Sequence, residues 1–227
     1  MFEALKKLFR KSDPKPPQAV AHAPKAKPKV APTRIGELGE YKINIQLDQL
    51  PKDCKFLSDL LLPNPKSRTG YAQIDHVVIS PYCLFVIETK NYNGEIKGGR
   101  ADQQWSVSNR YKMYNPLKQN YGHIKAIESL LKDVAAVKYI SMISFTMRCR
   151  FSIDPELRKI LSDELVVYDV ELSEFISRKL ISLKAETSEP PISAGQIQTI
   201  YDHLVQANIT DVEIHKLHVQ RIKGSKN

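Results

Sequence analysis

Cysteine is scarce in this chain of 227 residues: Cys54, Cys83 and Cys149 are odd in number, widely spaced and form no CxxC pair. That argues against a disulfide framework or a zinc site, and a reducing, cytoplasmic setting is expected. Long apolar runs are also missing. No stretch approaches the roughly 18 apolar residues of a membrane span, and Met1 to Lys11 lacks the uninterrupted apolar core of a signal peptide, so a soluble protein is expected. Tryptophan occurs once, at Trp105, where it fits a core position better than a base-stacking platform.

What is present suffices for one globular core, with 42% hydrophobic and 26% charged residues,. The net charge of +9 is unevenly placed: residues 1–34 carry nine Lys or Arg against Glu3 and Asp13, which is +7 and leaves +2 for the rest. A basic excess suits phosphate-rich partners, because neutralised phosphates release counterions. Here that reasoning applies to the tail and hardly to the body.

Met1 to Lys11 places Phe2, Leu5, Leu8 and Phe9 opposite Lys6, Lys7 and Arg10 on a short amphipathic helix,. Such a stretch either docks, on a membrane surface, a partner or the body, or is a frayed terminus. From Ser12 to Thr33, Pro14, Pro16, Pro17, Pro24, Pro28 and Pro32 among Lys and Ala read as an extended, disordered linker,. The expected division is therefore a basic segment over 1–33 and a folded domain over 34–227.

A helix is expected from Ile35 to about Leu47, with Ile35, Leu38, Tyr41, Ile45 and Leu47 on its apolar face,. Strands are expected over Lys55–Leu62, Ala72–Ser80 and Cys83–Lys90 as an antiparallel meander. Asn91–Gly99 reads as a loop, with a short strand at Trp105–Val107 leading to Tyr111–Asn115. Pro116 suits the first turn of a helix to about Val134. Further strands over Tyr139–Phe145 and Leu165–Val170, and helices over Leu172–Ser182 and Ser193–Ala207, complete a mixed sheet with helices on both faces.

The hairpin carries the chemistry. If it turns symmetrically between Pro81 and Tyr82, opposed residues have numbers that add to 163, and Asp75 then stands opposite Glu88. Opposed side chains share a face with Cβ atoms about 5 Å apart. Two carboxylates there repel unless a cation intervenes, and oxygen ligands suit Mg²⁺ or Mn²⁺. Lys90 shares the face of Glu88 by the period of two, where an ammonium can orient water or offset charge on a phosphate oxygen. The competing account is a solvated face with a salt bridge. Against it stand the apolar neighbours His76-Val77-Val78-Ile79 and Leu84-Phe85-Val86-Ile87, which suggest a buried hairpin where stray charges are costly,. His76 alternates away from Asp75, and Thr89 and Ile87 are expected on the far face.

Several motifs taken together resemble the nuclease-related domain (NERD) family of the PD-(D/E)XK nuclease superfamily. They are Gly36-Glu37-Leu38-Gly39-Glu40, Gln73-Ile74-Asp75-His76, Phe85-Val86-Ile87-Glu88-Thr89-Lys90-Asn91-Tyr92 with Gly94, Trp105, and Asn115-Pro116-Leu117-Lys118-Gln119-Asn120 with His123. The resemblance covers about residues 34–135 and implies a restriction-endonuclease-like core. It also implies Asp75 and Glu88 as metal ligands, Lys90 as catalytic lysine, Glu40 as the acidic residue of the first helix, and Gln119 as the polar residue of a later one. Glu40 could bind the metal or hold a ligating water; alone, it equally suits an acid complementing the helix dipole. His123, one turn beyond Gln119, either approaches phosphate or packs.

The expected activity is metal-dependent hydrolysis of nucleic acid, in the first place DNA. The alternatives are a non-catalytic nucleic-acid-binding module and a scaffold held at a membrane surface by residues 1–11. Arg68 and Lys118, with Lys66, Lys97, Arg100, Arg110 and Lys112, sit near the motifs and either line a nucleic-acid groove or form ordinary surface. Residues 136–227 carry no motif; Leu204, Ile209 and Val212 suggest packing, His203, His215 and His218 lack a metal-site register, and the region either completes the fold or forms a homodimer surface.

Overall fold

The computed structural model describes residues 42–224. Met1–Lys11, the proline-rich linker and the motif containing Glu40 lie outside the described residues. The described part of helix α1 is residues 42–47; it buries Ile43 and Leu47, while Ile45 is exposed. The apolar face thus runs through Ile43, four residues before Leu47, as one side of a helix requires.

Three strands follow, β1 (Lys55–Pro63), β2 (Tyr71–Ile79) and β3 (Leu84–Lys90). Their antiparallel register pairs Ile79 with Leu84, Val78 with Phe85, Val77 with Val86 and His76 with Ile87, so paired numbers do add to 163. Ser80 closes the turn, its Oγ donating to Cys83 O and accepting from Cys83 N.

β4 (Gly94–Gly98), β5 (Gln104–Val107) and β6 (Tyr111–Tyr114) precede helix α2 (Pro116–Leu131). Then come β7 (Tyr139–Phe145), β8 (Cys149–Ile153), β9 (Glu164–Tyr168) and helices α3 (Leu172–Glu186), α4 (Ala194–Ala207) and α5 (Val212–Lys223). The larger sheet has the order β1-β2-β3-β7-β9 and the smaller β6-β5-β4-β8. β3 runs parallel to β7, and β7 to β9, so the larger sheet is mixed.

The expected loop over Asn91–Gly99 contains a strand, β4, because its pairing is supplied from afar by β8 and β5. β8 and α5 were likewise not expected. The parallel neighbours β3 and β7 both pass into the smaller sheet, as β4 and β8, and their bends are joined by Thr146 N to Lys90 O (3.1 Å) and Gly94 N to Arg148 O (3.2 Å).

Alternation along the strands divides the core. Val78, Phe85, Ile87 and Met142 pack with α1 and α3, and Val77, Ile79, Leu84 and Val86 pack with α2 and α4. Trp105 is fully buried in a third cluster with Ile96, Phe145 and Leu117. Leu204 is buried as expected, but Val212 is 63% exposed, because it opens α5 beyond the reach of the core. Ile209 N and Asn208 Oδ1 instead bond Leu61 on the outer edge of β1.

Candidate active site

Glu88 lies two positions beyond Val86 on β3, so its carboxylate faces α2,. It is 4% exposed, and its partners come from β3 itself, through Lys90, and from α2, through Gln119. Lys90 Nζ donates to Glu88 Oε1 (2.5 Å) and to Gln119 Oε1 (2.9 Å), and Gln119 Nε2 donates to Glu88 Oε1 (2.8 Å). The three side chains close a ring in which the amide serves both charges. His123 Nδ1 stands 3.3 Å from Glu88 Oε2, yet neither atom has a hydrogen bond among the described residues.

Asp75 points from β2 to the same cleft, but its bonds differ from expectation. The ladder ends at His76 and Ile87, the strands part, and Asp75 Oδ2 accepts from Thr89 N (2.7 Å) and Thr89 Oγ1 (2.6 Å). Thr89 therefore turns to Asp75 instead of packing on the far face, because the parted strands leave its amide without a ladder partner. His76 does face away, with Nδ1 3.0 Å from Ser58 Oγ.

Burial pushes the Glu88 carboxyl up to about 7; the Asp75 charge adds to the rise, and Lys90 and Gln119 oppose it,. Burial also lowers His123 to about 4, against the pull of Asp75 and with the help of Lys90. His123 is thus a neutral hydrogen-bonding group near pH 7.

α2 is fixed by two asparagines that carried no assigned role in the sequence. Asn115 caps it, Oδ1 accepting from Leu117 N (2.9 Å), while Nδ2 donates to Gly99 O, Arg100 O and Asp102 O. Asn120 Nδ2 donates to Val86 O and Ser141 Oγ, both at 2.8 Å. A cap before Pro116 is readable from sequence; the partners of Asn120 are not, since they lie on β3 and β7.

The cleft, of about 420 Å³, is lined by Asp75, Glu88, Gln119 and His123, by the β1–β2 connection (Asn64, Ser67, Thr69) and by His218 and Ile222 of α5. Its described lining contains no lysine or arginine. Arg68 instead donates to Arg221 O, Lys118 to Ala101 O, and Arg100 pairs with Glu164 and Asp154. The structure therefore brings together Asp75, Glu88, Lys90, Gln119 and His123, and does not bring Arg68 or Lys118 to the cleft. Among the described residues, no group of three or more His, Cys, Asp or Glu side chains is arranged to hold a metal ion. Glu88 Oε2, a buried oxygen without a partner, nonetheless fits a cation, and Mg²⁺ commonly takes one or two carboxylates and keeps several waters.

The family model described as nuclease-related domain matches residues 35–146. An uncharacterized protein of Bacillus anthracis is 31% identical over 196 residues, covering 85% of this chain and 85% of that protein. No solved structure matches the chain.

Proposed function

Since the chain belongs to the nuclease-related domain family, we propose that it is a Mg²⁺- or Mn²⁺-dependent nuclease that hydrolyses phosphodiester bonds, in the first place in DNA. The observation that carries this reading is Glu88: a carboxyl group 4% exposed, with one oxygen unpartnered among the described residues, lining a cleft with Asp75 and hydrogen-bonded to Lys90 just behind that lining.

Asp75 and Glu88 would hold the cation, with Glu40 a further candidate from outside the described residues. When bound, the cation would polarise a phosphoryl oxygen and acidify water. Lys90 has three N–H donors, of which Glu88 and Gln119 take two,. The third has no partner among the described residues and would serve an attacking water or a phosphate oxygen. Gln119 holds both charged groups in place, and His123 offers a neutral imidazole at the rim.

The purified full chain should degrade linear, nicked or single-stranded DNA with Mg²⁺ or Mn²⁺, and stop on chelation. Lys90→Ala should slow it by at least about 100-fold, the scale of a lost electrostatic donor. Failure on all three substrates with either metal counts against catalysis.

One observation favours a second reading, a non-catalytic nucleic-acid-binding module: the Lys90 ammonium is already engaged by Glu88 Oε1 and Gln119 in a closed ring. In that case deleting residues 1–34 abolishes binding and Asp75→Ala changes little.

A further inference from the structure

One wall of the cleft comes from α5, beyond the residues 35–146 that the family model matches. His218 on this helix is 4% exposed and lines the cleft. Neither of its ring nitrogens has a hydrogen bond among the described residues. Its ring meets that of Tyr71 edge to face, with centroids 6.2 Å apart. A buried imidazole with both nitrogens unpaired is costly unless a ligand supplies the partner.

His123 on α2 lines the same cleft, and its Nδ1 is likewise buried without a hydrogen bond among the described residues. The two imidazoles thus share, with Asp75 and Glu88, the lining of a space of about 420 Å³. That is at the lower end of the range for pockets holding one small ligand, and it suits a nucleotide. A duplex does not enter such a space. It is stiff over about 50 nm, and a strand that turns into a narrow cleft must first leave its complement. α5 is held over the cleft by Arg68 Nη2 to Arg221 O (3.1 Å) and Arg221 Nη1 to Thr69 O (3.2 Å).

We propose that the cleft takes an unpaired strand of nucleic acid, that His218 hydrogen-bonds a phosphate oxygen of the nucleotide seated there, and that α5 keeps duplex out. The proposal rests on the nuclease reading of the cleft floor. His218 acts as a substrate-positioning residue.

The test is binding by the full chain carrying Lys90→Ala to block turnover, with Mg²⁺, at about 0.3 M salt so that the basic tail contributes little. Fluorescence anisotropy compares a labelled 12-nucleotide single strand, as DNA and as RNA, with the blunt duplex of the same sequence. The single strand is expected to bind at least about ten-fold tighter than duplex. Adding His218→Ala should weaken single-strand binding about ten-fold, as for one lost hydrogen bond to a charged group, while His218→Gln, which keeps a donor, restores part of it. His218→Ala lowers the melting temperature through lost packing on Tyr71,, so His218→Gln, which keeps most of the volume, is the variant whose folding should be little changed. Arg68→Ala with Arg221→Ala, which frees α5, should narrow the preference over duplex. Equal binding of strand and duplex, or a Kd within two-fold after His218→Ala, overturns the proposal. If the unmodified chain cleaves nothing but the strand preference and its loss in His218→Ala are both seen, the cleft assignment stands and the nuclease reading falls.

Discussion

Replacing Asn115 tests how α2, and with it Gln119 and His123, is held in place. The side chain is fully buried and serves four backbone groups: Leu117 N at 2.9 Å, and the carbonyls of Gly99, Arg100 and Asp102 at 3.2, 3.2 and 2.7 Å. Asn115→Ala removes a helix cap, about 1 kcal/mol. It also removes two N–H donors shared among three carbonyls, about 1 kcal/mol each. The sum is about 3 kcal/mol, which for a body of this size lowers the melting temperature by about 6–12 °C. Circular dichroism melts and urea titrations measure it. Asn115→Asp sharpens the test, because it keeps the capping oxygen but sets a buried negative charge against three carbonyl oxygens, and should be less stable than Asn115→Ala. A loss below about 1 kcal/mol for Ala, or Asp more stable than Ala, would refute this account of the helix start.

Gly98→Ala should destabilise by about 1–3 kcal/mol through overpacking, because a Cβ there falls 2.2 Å from Trp105 Cδ1; unchanged stability and tryptophan emission would contradict it. Burial pushes the Cys83 thiol up to about 12, so native protein at pH 8 should leave Cys83 unlabelled by thiol reagents that modify it once unfolded. Rapid native labelling mapped to Cys83 by peptide mass would count against its burial. Hydrogen bonds from Arg158, at 2.8 and 3.0 Å, hold the Glu171 carboxyl below its ordinary 4.5. A depressed carboxyl contributes stability above the unfolded value that is lost as pH falls through the folded one. Arg158→Gln should therefore lower stability at pH 7 and flatten its decline below pH 4.5; an unaltered pH slope in urea unfolding excludes the coupling.

The register of the central hairpin was legible because Pro81 marks a turn and the apolar runs on either side admit one alternation. The same marks located β1, β7 and helices α2 to α4. β4 and β8 were hidden because both are short and glycine or polar residues interrupt them; they are strands by virtue of each other. α5 was hidden for a different reason: its apolar residues face a polar cleft and solvent, so they draw no single buried stripe. At the site, Asp75, Glu88, Lys90 and Gln119 converge, but the bond from Asp75 to Thr89 depends on where the strands part, which pairwise register does not predict. Asn120 stood inside a recognisable motif but with no role, and His218 outside any motif, since what matters about each is a partner, or a missing one, set by tertiary packing.

The paired bends where β3 and β7 leave the larger sheet restrict how this protein can change over time. Each connection, 91–93 and 146–148, has the same length, and the ladders before and after them share one offset, Lys90 with Phe145 and then Gly94 with Cys149. An insertion in one connection alone would slide β4 along β8 by a residue and turn Ile96 and its neighbours from core to solvent. Length changes are therefore tolerated only in step, one in each connection. Lys90 is the last residue of the β3–β7 ladder before the first of these bends, so the connection that sets the register of the smaller sheet begins directly after the residue that holds Glu88 and Gln119.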